Sequence, residues 1–427
     1  MLREYPVWRE GVVFPQLDNG RSLPTRADVV IIGAGYTGLA AARTLAQAGA
    51  NVIVLEAQTI GWGASSRNGG MVLTGLKLDA TQLVARYGRA AAQRMFAASL
   101  AAIDCVEQLV HEDAIACDFQ RSGHVLLAVK PAHARAFATE AALLHREFGH
   151  ETRVLGPGDL RSEIGSAAYY GGLLDITSAG INPARYIAGL GLAAIRAGAQ
   201  IFEHSHATYI ARNGRGWQIN TGRGVVQAGA VLVASGAYTG RESARLQRKI
   251  VPLGSYIIAT APLPERVARE LLPHNRMAFD TRHLLHYFRL TPDRRMLFGG
   301  RARFFPESPQ MVRESAAVLQ RAMAQVFPQL HGAPIEYAWG GTLDVAFDLM
   351  PHTGQRDGMY YALGYAGHGV AMATYLGMQL GACLAGAPFI NPFAGLPFPG
   401  APLGLYDGRP WFLPLVGAWY RFQDWLW

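Results

Sequence analysis

Six residues, Gly33-Ala34-Gly35-Tyr36-Thr37-Gly38, have the spacing of a turn that cradles a pyrophosphate. In such a G-x-G-x-x-G turn the first glycine allows the tight bend and the second lets the backbone approach the phosphates. The third lets the following helix pack on the preceding strand. Free amides and the dipole at the start of that helix favour negative charge. The pattern is weak alone, and its context decides. Here it follows the apolar run 28–32 (DVVII), opens an Ala- and Leu-rich stretch from Tyr36 to Ala48, and precedes a second apolar run, 51–55, that ends at Glu56. A carboxylate at that strand end bonds ribose hydroxyls and disfavours a 2′-phosphate, so NADP is not expected.

A second loop, Gly63-Ala64-Ser65-Ser66-Arg67-Asn68-Gly69-Gly70, separates FAD from NAD. An NAD site needs no further glycine- and hydroxyl-rich loop straight after the ribose acid, whereas a longer cofactor must be gripped again further along. Ser65, Ser66 and the loop amides suit the second phosphate and the flavin edge. Arg67 suits either the flavin ring or a substrate carboxylate.

These residues need a strand, a helix and a second strand to place them, and 28–55 reads as such a βαβ unit. Beyond it, 79–111 reads as helical, 124–130 as a strand and 131–149 as a helix. A helix starting near Pro183 leads into a strand. Residues 217–235 form a hairpin running into a buried strand, 250–305 alternates with the strand period, and 308–327 is helical. The segment 358–406 carries no Asp, Glu, Lys or Arg and reads as a buried strand followed by a buried helix rather than a membrane span. An α/β chain with two interleaved domains is expected. A dinucleotide domain is assigned to 1–75, 155–245 and 336–427, and a substrate domain to 76–154 and 246–335.

The chain has 427 residues, half of them apolar and 16% charged, which argues against extended disorder. The net charge of +8 comes from scattered arginines without a basic run, so no nucleic-acid partner is expected. Cys105, Cys117 and Cys383 form no C-x-x-C pair, so no metal site is visible, and their odd, low number fits a reducing compartment. No stretch of signal-peptide character opens the chain. A cytoplasmic protein is expected. The Trp-rich C-terminus suits a packed helix, a dimer contact or a peripheral membrane contact.

The first βαβ unit and the GWGASSRNGG loop resemble the glycine oxidase and D-amino-acid oxidase (DAO) superfamily of FAD enzymes, nearest to its gamma-glutamylputrescine oxidase branch. VLVASGAYTG at 231–240, WGGTLDVAFDLMPHTG at 339–354 and GYAGHGVAMA at 364–373 resemble the same branch. The resemblance implies a glutathione-reductase-type Rossmann-like domain interleaved with a domain built on a mainly antiparallel sheet with helices. It implies FAD contacts at Gly33, Ala34, Gly35, Tyr36, Thr37, Gly38, Glu56, Ala57, Ser65, Ser66, Arg67, Asn68, Gly69 and Gly70. It adds Ala207 at the adenine, Ser235, Gly236 and Ala237 beside the pyrophosphate, and Gly341, Gly367, His368, Gly369 and Val370 near the flavin ring. The last loop opens a helix, whose amides favour the negative charge that reduction develops on the flavin.

Two departures narrow the reading. No Cys stands at 340–342 and no His in the second loop, where relatives attach flavin covalently, so non-covalent FAD is expected. Ala371 stands where sarcosine oxidases carry a carboxylate-binding lysine, which disfavours a simple N-methyl amino acid. Arg289 and Arg301 remain candidates for a carboxylate clamp. The implied reaction is hydride transfer from an amine or amino-acid C–N carbon to flavin N5, then imine hydrolysis, with O2 or an electron carrier taking the electrons. Substrate-pocket candidates are Tyr256, His286, Tyr287, Arg301, Trp339, Tyr365 and His368. A membrane-coupled D-amino-acid or proline-type dehydrogenase is the alternative. A flavin-dependent tRNA-modifying protein and a non-catalytic FAD protein rank below it.

Overall fold

The computed structural model describes residues 2–18, 20–300, 308–401 and 404–426. The β-branched run at 28–32 lies within the strand Arg26–Ile32, whose residues Val29 to Ile32 are buried. It pairs in parallel with Val52–Leu55 on one side and Gly224–Val233 on the other, with Val30 opposite Ile53 and Val231. Continuous apolar sequence is what a strand covered on both faces requires. Gln200–Phe202 and Met359–Leu363 extend this parallel core at its two edges. His352–Arg356 pairs antiparallel outside Met359–Leu363. The hairpin Ala207–Asn213/Gly216–Thr221 hangs from the near end of Gly224–Val233, completing eight strands.

The helix Tyr36–Gln47 packs against Gly369–Leu384 and Pro183–Ala197. The first contact is close because Gly377 and Gly381 bring backbone against backbone; a Cβ on Gly377 would lie 2.3 Å from Thr37 O. Gly369–Leu384 is the buried helix expected from the charge-free segment. No described helix is long and apolar enough to cross a membrane.

The second eight-stranded sheet runs in the order 335–346, 250–260, 296–300, 286–290, 277–280, 124–127, 172–175, 153–155. Every pair is antiparallel except 277–280 with 124–127. One face packs Tyr256, Phe288 and Phe298 against Leu319, Met323 and Phe327 on and beyond the helix Pro309–Val326. The other face looks toward the glycine loops of the first sheet.

Sheet membership differs in places from the segments assigned by sequence. Strand 172–175 and all of 335–346 but its first residue fall within segments given to the dinucleotide domain, yet both strands pair in the second sheet. The helical stretch 79–111 is two helices, Ala80–Tyr87 and Arg89–Glu112, broken at Gly88 with φ +77°. The block 250–305 also contains a helix, Glu265–Leu271, set off by Pro264.

Candidate active site

The glycine turn has the geometry its sequence calls for. Gly33 sits at φ +104°, and a Cβ there would meet Ala234 O at 2.9 Å. A Cβ on Gly38 would lie 2.0 Å from Gly33 O, so helix and strand meet with no room for a side chain. Gly35 faces Ser65 Oγ, which accepts from Tyr36 N at 3.3 Å. The Glu56 carboxylate accepts from Ala34 N and Gln58 N, each at 2.8 Å. Burial raises its pKa, the backbone amides oppose that, and Glu203 adds to it. Each of its oxygens keeps a lone pair for a ribose hydroxyl. Ala57 beside it is exposed, and Ser205 N donates to Glu56 O at 2.7 Å, which brings the buried Ala207 close. Ser235, Gly236 and Ala237 form the bend at the end of Gly224–Val233, against Gly33. These positions therefore form one patch.

Several side chains named by sequence point away from it. The Tyr36 hydroxyl donates to Ser65 O, and Thr37 Oγ1 meets Tyr365 OH at 2.6 Å inside the core. These two motif positions present only backbone to the patch. Ser66 is fully buried, and its Oγ accepts from Arg9 Nη1 at 3.0 Å. Asn68 knots its own loop: Nδ2 donates to Ala64 O and Ser65 O, while Oδ1 accepts from Gly70 N. Gly70, at φ +68°, packs against Ile181 O. Arg67 bridges to the second sheet, donating from Nε to Trp62 O and from Nη1 to Gly340 O, next to Gly341.

The loop before Gly369–Leu384 is held by Asp344, a residue the sequence reading passed over within WGGTLDV. Its carboxylate accepts from Gly364 N at 2.8 Å, and its carbonyl accepts from Ala366 N at 2.9 Å. The same carboxylate lies 3.7 Å from a Cβ position on Gly236. Burial pushes its pKa up to about 6. Asp344 thus joins the pyrophosphate side of the patch to the Gly367–Val370 loop. An acid between Leu343 and Val345 was the signal. His368 N donates to Tyr365 O, and its Nδ1 has no hydrogen-bond partner. Burial, then the charge of Lys77, lowers the His368 pKa to about 3.

A cavity of about 930 Å3 lies between these loops and the second sheet. Arg67, Asn68, Gly69, Gly341, Gly367, His368 and Val370 line one side, and Ser255, Ile257 and Tyr287 the other. The Tyr287 ring lies over Gly299, where any side chain would clash, and its hydroxyl is 3.3 Å from Ser255 Oγ. Tyr256 is a correction: strand alternation turns Ser255 and Ile257 to the cavity and buries Tyr256 in the core behind. His286 turns likewise to Asp280 and Phe298. Trp339 and Tyr365 are buried supports, with Trp339 Nε1 donating to Arg67 O at 2.8 Å. Arg289 is no clamp. Its guanidinium is buried on Gly70 O and Ile181 O, and burial lowers its pKa to about 10. Arg301 lies outside the described residues. Ala371 is buried within its helix.

A family described as FAD dependent oxidoreductase (DAO) matches residues 28–382. The chain is 32% identical over 400 residues to gamma-glutamylputrescine oxidoreductase of Escherichia coli, spanning 93% of this chain and 92% of that protein. It is also 32% identical over 390 residues to the probable oxidoreductase OrdL of Haemophilus influenzae, spanning 90% and 88%. The crystal structure of glycine oxidase from Geobacillus kaustophilus superposes with a TM-score of 0.72 at 22% identity, covering 84% of this chain and 95% of that one. That structure shares the fold. The chain belongs to the DAO family of FAD-dependent oxidoreductases.

Proposed function

We propose that this chain oxidises the C–N bond of an amine or amino acid, using FAD held without a covalent bond. One observation carries the reading: the loops that would hold a flavin and the sheet face bearing Tyr287 enclose one cavity, large enough for the flavin ring and a substrate together.

The residues present fit the cofactor. The turn at Gly33–Gly38 presents backbone to the patch, Glu56 keeps acceptor capacity, and a Cβ on Gly367 would meet nothing within 4 Å. His368 Nδ1 is unpartnered at the start of Gly369–Leu384, where the helix dipole favours negative charge. No cysteine lines the cavity. Acid precipitation is expected to release all the FAD into the supernatant; yellow colour left in the washed pellet would refute non-covalent binding.

When bound, FAD supplies a hydride acceptor. The chain's part is to place and dry the substrate. Ser255, Ile257 and Tyr287 form a wall that holds the amine carbon toward Asn68, Gly69 and Gly341. Removing water also lowers the amine's pKa, which favours the neutral form that can donate hydride. The similarity to a gamma-glutamylputrescine oxidoreductase supports amines longer than glycine. The deciding experiment mixes holoprotein anaerobically with a panel of amines and amino acids. Bleaching of the bound flavin by at least one amine is expected, and no bleaching by any compound would refute the reading. Oxygen consumption during turnover then separates oxidase from dehydrogenase.

A second reading, a dehydrogenase docked on a membrane, is favoured by one feature. Leu415, Trp419 and Phe422 lie exposed along one side of the helix Leu413–Leu426. Recovery in the membrane fraction, with activity toward an artificial dye but not oxygen, would support it.

A further inference from the structure

Two segments approach the glycine turn from opposite flanks. On one flank a Cβ on Gly35 would meet Ser65 Oγ at 3.0 Å, and Trp62 stands three residues earlier in the same loop. On the other flank a Cβ on Gly33 would meet Ala234 O at 2.9 Å and Ser235 Cα at 3.2 Å. The short turn Gly236–Tyr238 follows. Tyr238 N donates to Ser235 O at 3.0 Å and Thr239 Oγ1 to Gly236 O at 2.8 Å, which fixes the bend that presents Tyr238.

The two flanks meet at a pair of rings. Trp62 and Tyr238 stand edge to face, with centroids 5.5 Å apart and planes at 63°. The backbone beside them is as close: a Cβ on Gly63 would lie 2.7 Å from Tyr238 Cε2, so any side chain there would push the tyrosine ring aside. Arg67 braces the tryptophan. Its guanidinium is 5.3 Å from the indole centroid, and its Nε donates to Trp62 O at 2.8 Å. Segments 33–35, 62–65 and 235–238 therefore close a ring of contacts.

The place of this ring decides what it does. Glu56 and Ala207 mark the adenosine end of the patch, whereas Arg67, Asn68 and Gly69, just beyond Ser65, line the cavity. A cofactor reaching from one to the other passes Gly33 and Ser65, between the two flanks. Trp62 and Tyr238 are 39% and 44% exposed, while Ala34 in the turn is fully buried. The pair thus lies on the solvent side of that path.

We propose that Trp62 and Tyr238 form a clasp across the path of FAD, which must part for the cofactor to enter or leave. The clasp is made by two protein rings touching one another, so it opens before binding as well as before release. It therefore governs the rate of exchange rather than affinity. The inference needs FAD alone and stands whether or not the cavity oxidises a C–N bond.

The test follows FAD and not turnover. Holoprotein is diluted to and below its Kd for FAD, and the appearance of free-flavin fluorescence gives the release rate. The plateau over a dilution series gives Kd, and release divided by Kd gives the entry rate. Trp62→Leu and Tyr238→Leu should each speed release about tenfold, the worth of one aromatic pair with its packing, while Kd stays within about threefold of wild type. The double variant should release no faster than either single one, because the clasp can be broken only once. Trp62→Phe keeps a ring and should stay near wild type. Gly63→Ala leaves both aromatic residues in place, drives a Cβ at Tyr238, and should speed release as the leucine variants do. Release unchanged in both leucine variants would overturn the clasp. So would a Kd that rises in step with release, since the rings would then be ordinary contacts of the bound cofactor.

Discussion

At the glycine turn the decisive contacts are made by backbone. Gly33 closes on Ala234 O, Gly38 on Gly33 O, and the Glu56 carboxylate on Ala34 N. On the cavity side of the second sheet they are made by side chains: Tyr287 over Gly299, His124 on Phe279, Asp175 between Thr74 and His150. The first region tolerates few sequences because a Cβ is either allowed or forbidden there. The second can be rebuilt with other side chains on the same strands. We therefore assign cofactor grip to the first region and substrate choice to the second.

The largest effect should come from the first region. Gly38→Val places a Cβ 2.0 Å from Gly33 O and has no flexible neighbour to displace. Loss of several kcal/mol is expected, as for severe overpacking. The protein should be recovered without bound flavin or as aggregate. A soluble variant with one FAD per chain would show that the turn is not the grip.

The same contrast explains what could be read from sequence. Glycine spacing and apolar runs report backbone geometry directly, so the βαβ unit, the patch at Gly33–Glu56 and the Gly367–Val370 loop were legible. Side-chain direction was not. In Ser255-Tyr256-Ile257 the large aromatic drew attention, yet which phase of the alternation faces the cavity depends on the pairing of 250–260 with 296–300 and 335–346. His124, His150 and Asp175 come from three separate segments and meet only when strands 124–127 and 172–175 pair. No local pattern announces that. The side-chain partners of Ser66 and Asn68 were hidden for a related reason: Arg9 donates to Ser66 Oγ, and the loop's own carbonyls accept from Asn68.

Asp344 joins the two regions and should give the next largest effect. Its pKa is raised to about 6 in the folded chain, against 3.8 for an ordinary aspartate. Between those values the folded state holds more protons than the unfolded one, so stability falls as pH rises. The penalty is absent below about pH 4 and complete above about pH 6. At 1.36 kcal/mol per unit it amounts to about 3 kcal/mol. Asp344→Asn removes the titration. Denaturant midpoints of the two proteins from pH 4 to 7 should therefore show wild type losing ground to the variant across that window. Parallel curves would mean that the carboxylate is already ionised without strain.

A smaller effect separates the two tyrosines. Tyr287→Phe removes a hydroxyl from the cavity beside Ser255, and a lost hydrogen bond of about 1 kcal/mol predicts a fivefold fall in kcat/KM. Tyr256→Phe alters the packed core instead. It should change stability while leaving kcat/KM within about twofold. The reverse pattern would place the cavity on the other face of strand 250–260.

The smallest effect is expected at the residue whose type looks most catalytic. His368 is pushed to about 3 by burial and then by Lys77, so it stays neutral at any pH where the enzyme works. A neutral imidazole that does not titrate cannot produce a limb in the pH–rate profile between pH 5 and 8. Its contribution is positional: its backbone N–H closes onto Tyr365 O, and the ring covers the start of Gly369–Leu384. His368→Gln keeps a polar side chain there and should give a kcat/KM profile of the same shape as wild type. Loss of an acid limb near pH 6 in that variant alone would show that the imidazole takes up a proton in the holoenzyme. The boundary between the two regions would then itself be catalytic, since His368 belongs to a backbone-built loop and yet faces the side-chain wall.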